Sequence, residues 1–517
     1  MTNLVTDIEE TATETPGATA LGLPEGELTY GELWSRTGRF ARALADAGIE
    51  PGDRVGVYLP NVEAYVTAFL GTLRAGGIVV PMNPQYRSRE ISHLLADSGA
   101  KGVVTLPDLV EQVREVQDDT DVHTVVSVGA DVDGATEFES FLAEEELPVQ
   151  DREDDDVAVQ PYTSGTTGRP KGVLLTHHNL AFTARSSAEI HDGIRPDDRM
   201  LGVLPLFHIY GMTITMLATL FEGGSYWSLP KWDAEESLSL IESAGITLVH
   251  GVPAMYNDAV NVPDAGSYDL SSVRFANAGG SSLPREVMER FEETFGVDLY
   301  EGYGLTETSP VTHANSPDDR RPGSIGKPIP GVESMVVDDD FEELDPVERG
   351  PVAEGTDLDE VVGELVISGP NVMKGYYGLP EANEEAFTEV DGERWFHTGD
   401  LGYRDEDGFF YVVDREKHMI VTGGYNVYPR EVEELLFEHP DVADVAVVGI
   451  PDERRGETVK AFVVPTPDAE TTPEELKEYC LERLAAYKHP REVEFVEELP
   501  RTTTGKVQKF ELRGGAE

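Results

Sequence analysis

Two hydrophobic periods alternate along the chain. Thr29 and Glu32 stand three residues apart ahead of an amphipathic run, the arrangement of a capping box that opens a helix. Arg54 to Leu59 is a short apolar run that predicts a buried strand, Asn61 predicts the cap of a further helix, and Ile78 to Met82 predicts another strand. Strands and helices alternating at this spacing imply an α/β domain with a largely parallel sheet. Asp151 to Asp156 (DREDDD) reads as a solvated loop leading into a strand before Tyr162, and Asp338 to Glu360 as an exposed acidic connection.

Past Asp414 the texture becomes that of a compact α+β unit. Pro429 takes a first helical position, and Val432, Leu435 and Leu436 follow at helical spacing. Strands are predicted over Val442 to Gly449 and Val459 to Val464, then a helix capped by Thr472 with Pro473 in its first turn, then a strand over Arg491 to Val496. Cys480 lies in the stripe Leu476, Tyr479, Cys480, Leu484 and reads as core, not as a nucleophile.

At 517 residues the chain exceeds what one core usually organises, so a large domain plus a smaller one is expected. No window reaches the ~20 apolar residues of a membrane span. Met1 to Gly17 is acidic and polar, unlike a signal peptide, and a lone cysteine fits a reducing cytoplasm. The outlying property is charge: 98 Asp and Glu against 40 Lys and Arg, a net −58. Such a field repels nucleic acid and reads as the strongly hydrated surface of proteins from salt-loving organisms. A site for anionic substrates in such a chain must supply its own local positive potential.

That potential is concentrated in Tyr162 to Val173, YTSGTTGRPKGV. The hydroxyls of Thr163, Ser164, Thr166 and Thr167 interleave with Gly165 and Gly168, and Lys171 follows. Small residues admit phosphate oxygens close to backbone amides, hydroxyls donate to them, and the lysine adds a point charge. The spacing is not that of a Walker A loop, in which Lys follows the second Gly directly. A polar hairpin turn would account for the Gly and Thr but not for the whole string.

This segment resembles the signature of the adenylate-forming superfamily of acyl-CoA synthetases, nonribosomal-peptide adenylation domains and luciferases. Further motifs follow in that family's order, from about Leu28 to Lys509. The resemblance implies a large N-terminal α/β adenylation domain with divided sheets and a barrel over 1–413, a hinge at 414–418 and a mobile α+β domain over 419–517. It also implies ATP, Mg²⁺ and coenzyme A as cofactors. In YEGYGLTETSP it places Glu301, Gly302, Tyr303, Gly304 and Thr306 at the nucleotide, with Tyr303 on adenine, Thr306 on phosphate, and Glu307 holding Mg²⁺ together with Thr163. A hard cation bridging phosphates needs such a carboxylate. In WFHTGDL, Asp400 would hold the ribose hydroxyls. In DREKHMI, Arg415 would contact ribose or phosphate and Lys417 would be the pivot, with His418 standing where the family commonly has an acid. In PRTTTGKVQK, Lys506 would be the catalytic lysine, its ammonium offsetting the repulsion between an attacking carboxylate and the α-phosphate.

LPLFHIYGM and AGGSSL resemble the walls of an acyl pocket, with His208 and Tyr210 beside the carboxylate and Gly279 and Gly280 leaving room for a chain or for adenine. A His in an apolar strand is more often a core residue, so the role of His208 rests mostly on the resemblance. Gly423 and Gly424 resemble the loop lining a thiol tunnel, and Lys231 is a weaker contact for coenzyme A. The expected activity is two half-reactions, acyl-AMP formation and then displacement of AMP by the CoA thiolate. The expected partner is a small-molecule carboxylic acid, with medium- and long-chain fatty acids nearest in pattern. A 4-coumarate-type aryl ligase, an enzyme loading a carrier protein, a luciferase-like oxygenase and a non-catalytic binding protein remain as alternatives. No carrier domain follows Lys509, and Glu307 and Lys506 are both retained. Assembly stays open between a monomer and a homodimer.

Overall fold

The computed structural model describes residues 3–24, 26–164, 169–190, 193–352, 361–423, 425–452, 454–467, 469–502 and 507–513, with Ser164 described by its backbone alone. The capping box forms as predicted: the Thr29 side chain accepts from the Glu32 amide and starts the helix Tyr30–Asp46. The buried strand is Arg54–Tyr58 and its parallel neighbour is Ile78–Pro81. They belong to one of two nine-stranded sheets. The other contains the parallel strands Arg199–Gly202, Ser225–Ser228, Leu248–Gly251, Phe275–Ala278 and Leu299–Gly304, and it is extended at one edge by Thr19–Leu23 and Gly26–Thr29. A core running from Leu4 to Phe396 joins the sheets through buried side chains such as Phe40, Tyr65, Phe69 and Tyr226.

Asn61 does not cap a helix. The helix Glu63–Arg74 begins after Val62 with no side-chain cap. Asn61 instead turns inward, donating to the carbonyls of Gly202 (3.2 Å) and Leu204 (2.8 Å) and accepting from the Leu206 amide (2.8 Å). These backbone groups are buried in an irregular stretch and need partners, which a capping role for Asn61 would leave unmet. Tyr65 completes the tether through its hydroxyl, 2.6 Å from the Leu206 carbonyl. The expected apolar strand around His208 is therefore a pinned loop, followed by a π-helix over Tyr210–Leu217 that continues into Ala218–Phe221. Gly211 lets this wide turn sit down on the loop, since a Cβ there would lie 2.5 Å from the Pro205 carbonyl oxygen.

The expected barrel takes the form of a five-stranded antiparallel sheet that includes Glu333–Val337, Gly363–Ser368, Glu393–Arg404 and Phe410–Arg415. A bridge between Gly326 and Phe410 links it to the chain leaving the second large sheet. The smaller C-terminal domain is a five-stranded sheet built on the hairpin Val442–Asp452 and Gly456–Pro465, covered by helices Pro429–Phe437 and Pro473–Arg483. Pro429 and Thr472 play their predicted parts at the starts of these helices. Cys480 is in the core of this domain, where burial pushes its thiol up to about 12. Among the described residues no helix is long and apolar enough to cross a membrane.

Candidate active site

Three neighbouring parallel strands, Leu248–Gly251, Phe275–Ala278 and Leu299–Gly304, end together and present His250, Asn277 and Tyr303 beyond or near their carboxyl ends. This is where open α/β sheets place ligands. A cavity of about 490 Å³ opens there, and a second of about 470 Å³ lies against it under the small domain. Gly280, Gly302, Tyr303, Gly304 and Arg415 line both.

At this shared wall the strand pairing sets Asp400 opposite Arg415, and their side chains form an ion pair at 2.8 Å. The Tyr303 hydroxyl donates to the other Asp400 oxygen. Burial, followed by the Asp400 charge, raises the phenol pKa of Tyr303 well above its usual value, so it remains a donor. Asp400 is 2% exposed, and its two oxygens are held by one cation and one hydroxyl from different strands. Lys417 follows in the short turn Glu416–His418, its ammonium made easier to deprotonate by burial and then by Arg415. His418 lies with Nδ1 3.5 Å from Asp414, and burial lowers its pKa despite that carboxylate.

The phosphate-type corner is built on a hairpin, Tyr162–Ser164 paired with Pro170–Thr176, whose register faces Lys171 with Thr163. Thr163, Lys171, Thr306 and Glu307 all line the first cavity. Tyr376, from a strand that pairs alongside, ties them together. Its hydroxyl donates to Glu307 Oε1 at 3.0 Å, and the Lys171 ammonium stands 4.8 Å above its ring. Sequence reasoning missed Tyr376, whose only mark is an aromatic pair after Gly375. Gly165, Thr166, Thr167, Gly168, Gly424 and Lys506 lie outside the described residues, as does the side chain of Ser164. Near Lys506, Thr502 lines the first cavity and Val507 the second.

The remaining wall of the first cavity is mostly apolar, with Phe207, Ile214, Val252 and Phe275 among its residues, and His208 stands beside them. His208 Nδ1 accepts from the Tyr210 amide at 3.3 Å, which leaves the proton on Nε2. Gly279 admits the Tyr210 ring, which a Cβ would approach to 3.1 Å, and Gly280 has φ +81°.

Three expected residues stand away from the first cavity. Glu301 is on the second cavity: it is buried, accepts from the Leu283 amide at 3.2 Å and faces Arg430 of the small domain. Burial raises its carboxyl to about 7, with Arg430 and that amide opposing. Gly423 lines neither cavity, because the small domain turns its Thr502 face toward the first one; the exposed Tyr425 beside it stacks on Tyr487 at 4.7 Å. Lys231 is also exposed and lines neither. Among the described residues no three His, Cys, Asp or Glu side chains cluster to hold a metal.

The AMP-binding enzyme family matches residues 8–377, and the AMP-binding enzyme C-terminal domain matches 431–506. A long-chain-fatty-acid–CoA ligase of Bacillus subtilis (strain 168) is 38% identical, covering 98% of this chain and 93% of its own. A feruloyl-CoA synthase of an Amycolatopsis species is also 38% identical, covering 96% of both chains. Among solved structures, an anthranilate CoA ligase in complex with anthranoyl-AMP superposes with a TM-score of 0.91 at 28% identity, over 100% of this chain and 97% of that one. With a family match spanning most of its length and both cavities at the strand ends, this chain belongs to the AMP-binding enzymes.

Proposed function

We propose that this chain, an AMP-forming acid–CoA ligase, takes an aliphatic acid of the fatty type. The observation that carries this reading is the set of environments that line the two cavities. A corner of hydroxyl, ammonium and carboxylate (Thr163, Lys171, Glu307) shares the first cavity with a pocket walled mainly by apolar side chains, and Arg415 and Tyr303 of the cluster around Asp400 stand on the wall common to both cavities. ATP would lie with its ribose hydroxyls on Asp400, its adenine against Tyr303 and the Gly279–Gly280 backbone, and its phosphates at Thr163, Thr306, Lys171 and the loop Ser164 to Gly168. The acid would enter beside His208, whose Nε2–H donates to a carboxylate oxygen. Lys506 would then offset the repulsion of carboxylate and α-phosphate as the acyl-AMP forms and the α–β phosphoanhydride breaks, releasing pyrophosphate. Coenzyme A would complete the reaction by displacing AMP as its thiolate.

The oxygen donors of Glu307 and Thr163 suit Mg²⁺, a hard cation usually held by one or two carboxylates plus substrate phosphates and water. When bound it neutralises phosphate charge. The protein's part is to fix Glu307, which Tyr376 does through a hydrogen bond to the carboxylate. We assign 1–413 and 419–517 as the moving bodies and 414–418 as the hinge, with rotation about Lys417 bringing Gly423 and Gly424 toward the thiol. The acidic surface supports a protein that works at high salt, and the single buried thiol supports a reducing, cytoplasmic setting. Sedimentation would tell a monomer from the homodimer that the resemblance allows.

A hydroxyaryl acid is the second reading, favoured by the polar side chains of Tyr210 and Asn277 within the pocket. The test is AMP release and thioester yield with MgATP and CoA for acetate through palmitate, beside benzoate and 4-coumarate, at high salt. A fatty-acid enzyme raises kcat/KM roughly fourfold per methylene until its pocket fills, because each buried CH₂ is worth ~0.8 kcal/mol. Preference for the rings replaces the acid class, and adenylation without any thioester removes coenzyme A as the acceptor.

A further inference from the structure

The apolar wall of the first cavity is interrupted by His250, and the ring is also a wall of something else. Behind it lies a separate void of about 20 Å³ among Leu201, Val203, Leu238, Ile241, Met255 and Tyr256. His250, which is 3% exposed, lines both spaces. We propose that the His250 ring is the plug that sets the longest acid the pocket accepts; this rests on reading the first cavity as the acid pocket.

The plug is fixed in place. Its Nδ1 is 3.1 Å from the Tyr210 hydroxyl, and that hydroxyl in turn receives Asn277 Nδ2 at 2.9 Å. Asn277 sits opposite His250 in the strand register, so backbone pairing holds the outer members of the relay together. The Tyr210 ring stands at 86° to the imidazole with centroids 5.7 Å apart, and Phe275 lies 6.0 Å away on its flank. Swinging the imidazole aside would strip a buried phenol of its acceptor, an unfavourable exchange for a buried polar group. An acyl chain that grows along the pocket gains by burial at each methylene until it meets this ring. Beyond it lies space lined largely by hydrocarbon that the chain does not reach. The limit is therefore steric, imposed by one side chain, and it is not where apolar wall ends.

The experiment compares wild type with His250→Ala, His250→Val and His250→Phe, measuring kcat/KM for CoA thioester formation with saturated acids from two to sixteen carbons. Each enzyme is judged by the ratio of its long-acid to short-acid values, so a general loss of activity cancels. His250→Ala joins the void to the pocket and, at interior packing density, makes room for about two to three methylenes. The longest acid used well therefore moves up by that number, with the ratio for those acids rising roughly fourfold per added carbon. His250→Val moves it by about half as much and reads the same effect if the Ala variant fails to fold. His250→Phe keeps a ring in place without the hydrogen bond and leaves the limit where it was, which separates bulk from polarity. An unchanged limit in both Ala and Val variants, or an extended one in the Phe variant, overturns the plug. Wild type refusing all aliphatic acids overturns the fatty-acid reading on its own; the plug is then read from para-substituted benzoates, whose tolerated substituent must lengthen in His250→Ala.

Discussion

Replacing Glu301 by Gln should make the protein more stable, and increasingly so as pH rises. Glu301 is 7% exposed, and its carboxyl is raised from 4.5 to about 7, burial outweighing both Arg430 and the Leu283 amide. The native state thus holds this proton more tightly than the unfolded chain does. Below about 4.5 the group is neutral in both states and costs nothing. As pH rises through the interval, only the unfolded chain ionises, and stability falls until the native carboxyl also loses its proton near 7. At 1.36 kcal/mol per pH unit the full interval amounts to about 3 kcal/mol, of which roughly 2 kcal/mol falls between pH 5.5 and 8. Gln keeps an oxygen for the Leu283 amide but never ionises, so Glu301→Gln removes this slope. The assay is urea unfolding followed by tryptophan fluorescence, for wild type and variant at pH 5.5 and 8.0 in the same salt. Only the change in their difference is used, because the many other carboxylates titrate alike in both proteins. A gap that widens in favour of the variant by about 2 kcal/mol at pH 8 supports the buried, protonated carboxyl. A gap independent of pH, or one that narrows, refutes it and returns Glu301 to an ionised partner of Arg430.

Three further outcomes follow from the site. Lys506→Ala should lower pyrophosphate release by ~10² or more while still converting supplied acyl-AMP with CoA, because its ammonium is assigned to the first step alone; equal loss of both steps would remove that assignment. Lys417→Pro fixes φ inside the turn Glu416–His418 and should spare adenylation while suppressing thioester formation, so an unaffected overall rate would exclude Lys417 as the pivot. Tyr376→Phe keeps the ring under Lys171 but deletes the hydrogen bond to Glu307. A bond to a charged group is worth ~1.5–3 kcal/mol, so adenylation kcat/KM for ATP should fall ~10- to 100-fold, with conversion of supplied acyl-AMP unchanged. An ATP half-reaction at the wild-type rate would show that Glu307 needs no such support.

What could be read from the sequence was local in character. The capping box at Thr29, the Thr472 cap and the Pro429 start are decided within one turn of helix, and each formed where the pattern put it. The phosphate-type corner was legible because Thr163 and Lys171 sit on two arms of one hairpin. Asn61 misled because the groups competing for it, at residues 202 to 206, lie some 140 positions away. Tyr376 approaches Glu307 from a different sheet, and the His250, Tyr210 and Asn277 relay draws on three segments. No periodicity carries such information, since it resides in the packing. The sequence puts Glu301 at the nucleotide, whereas its place on the second cavity, buried beneath Arg430, depends on where the small domain rests.

The edge of the second large sheet has a consequence for how the chain is made. Leu21 pairs in parallel with Tyr226, and Thr19–Leu23 is in turn the support for Gly26–Thr29. The Tyr226 side of the strand Thr19–Leu23 has therefore no partner until roughly 200 further residues have left the ribosome, about 10–40 s at ~5–20 residues per second. Until then the amides and carbonyls along that side are open to pairing with other chains. Non-local pairings of this kind also slow folding, because the loop must close before the contact rewards it. The dense negative charge of the chain works during this wait as a colloidal safeguard, keeping nascent copies apart while the sheet is still missing its edge.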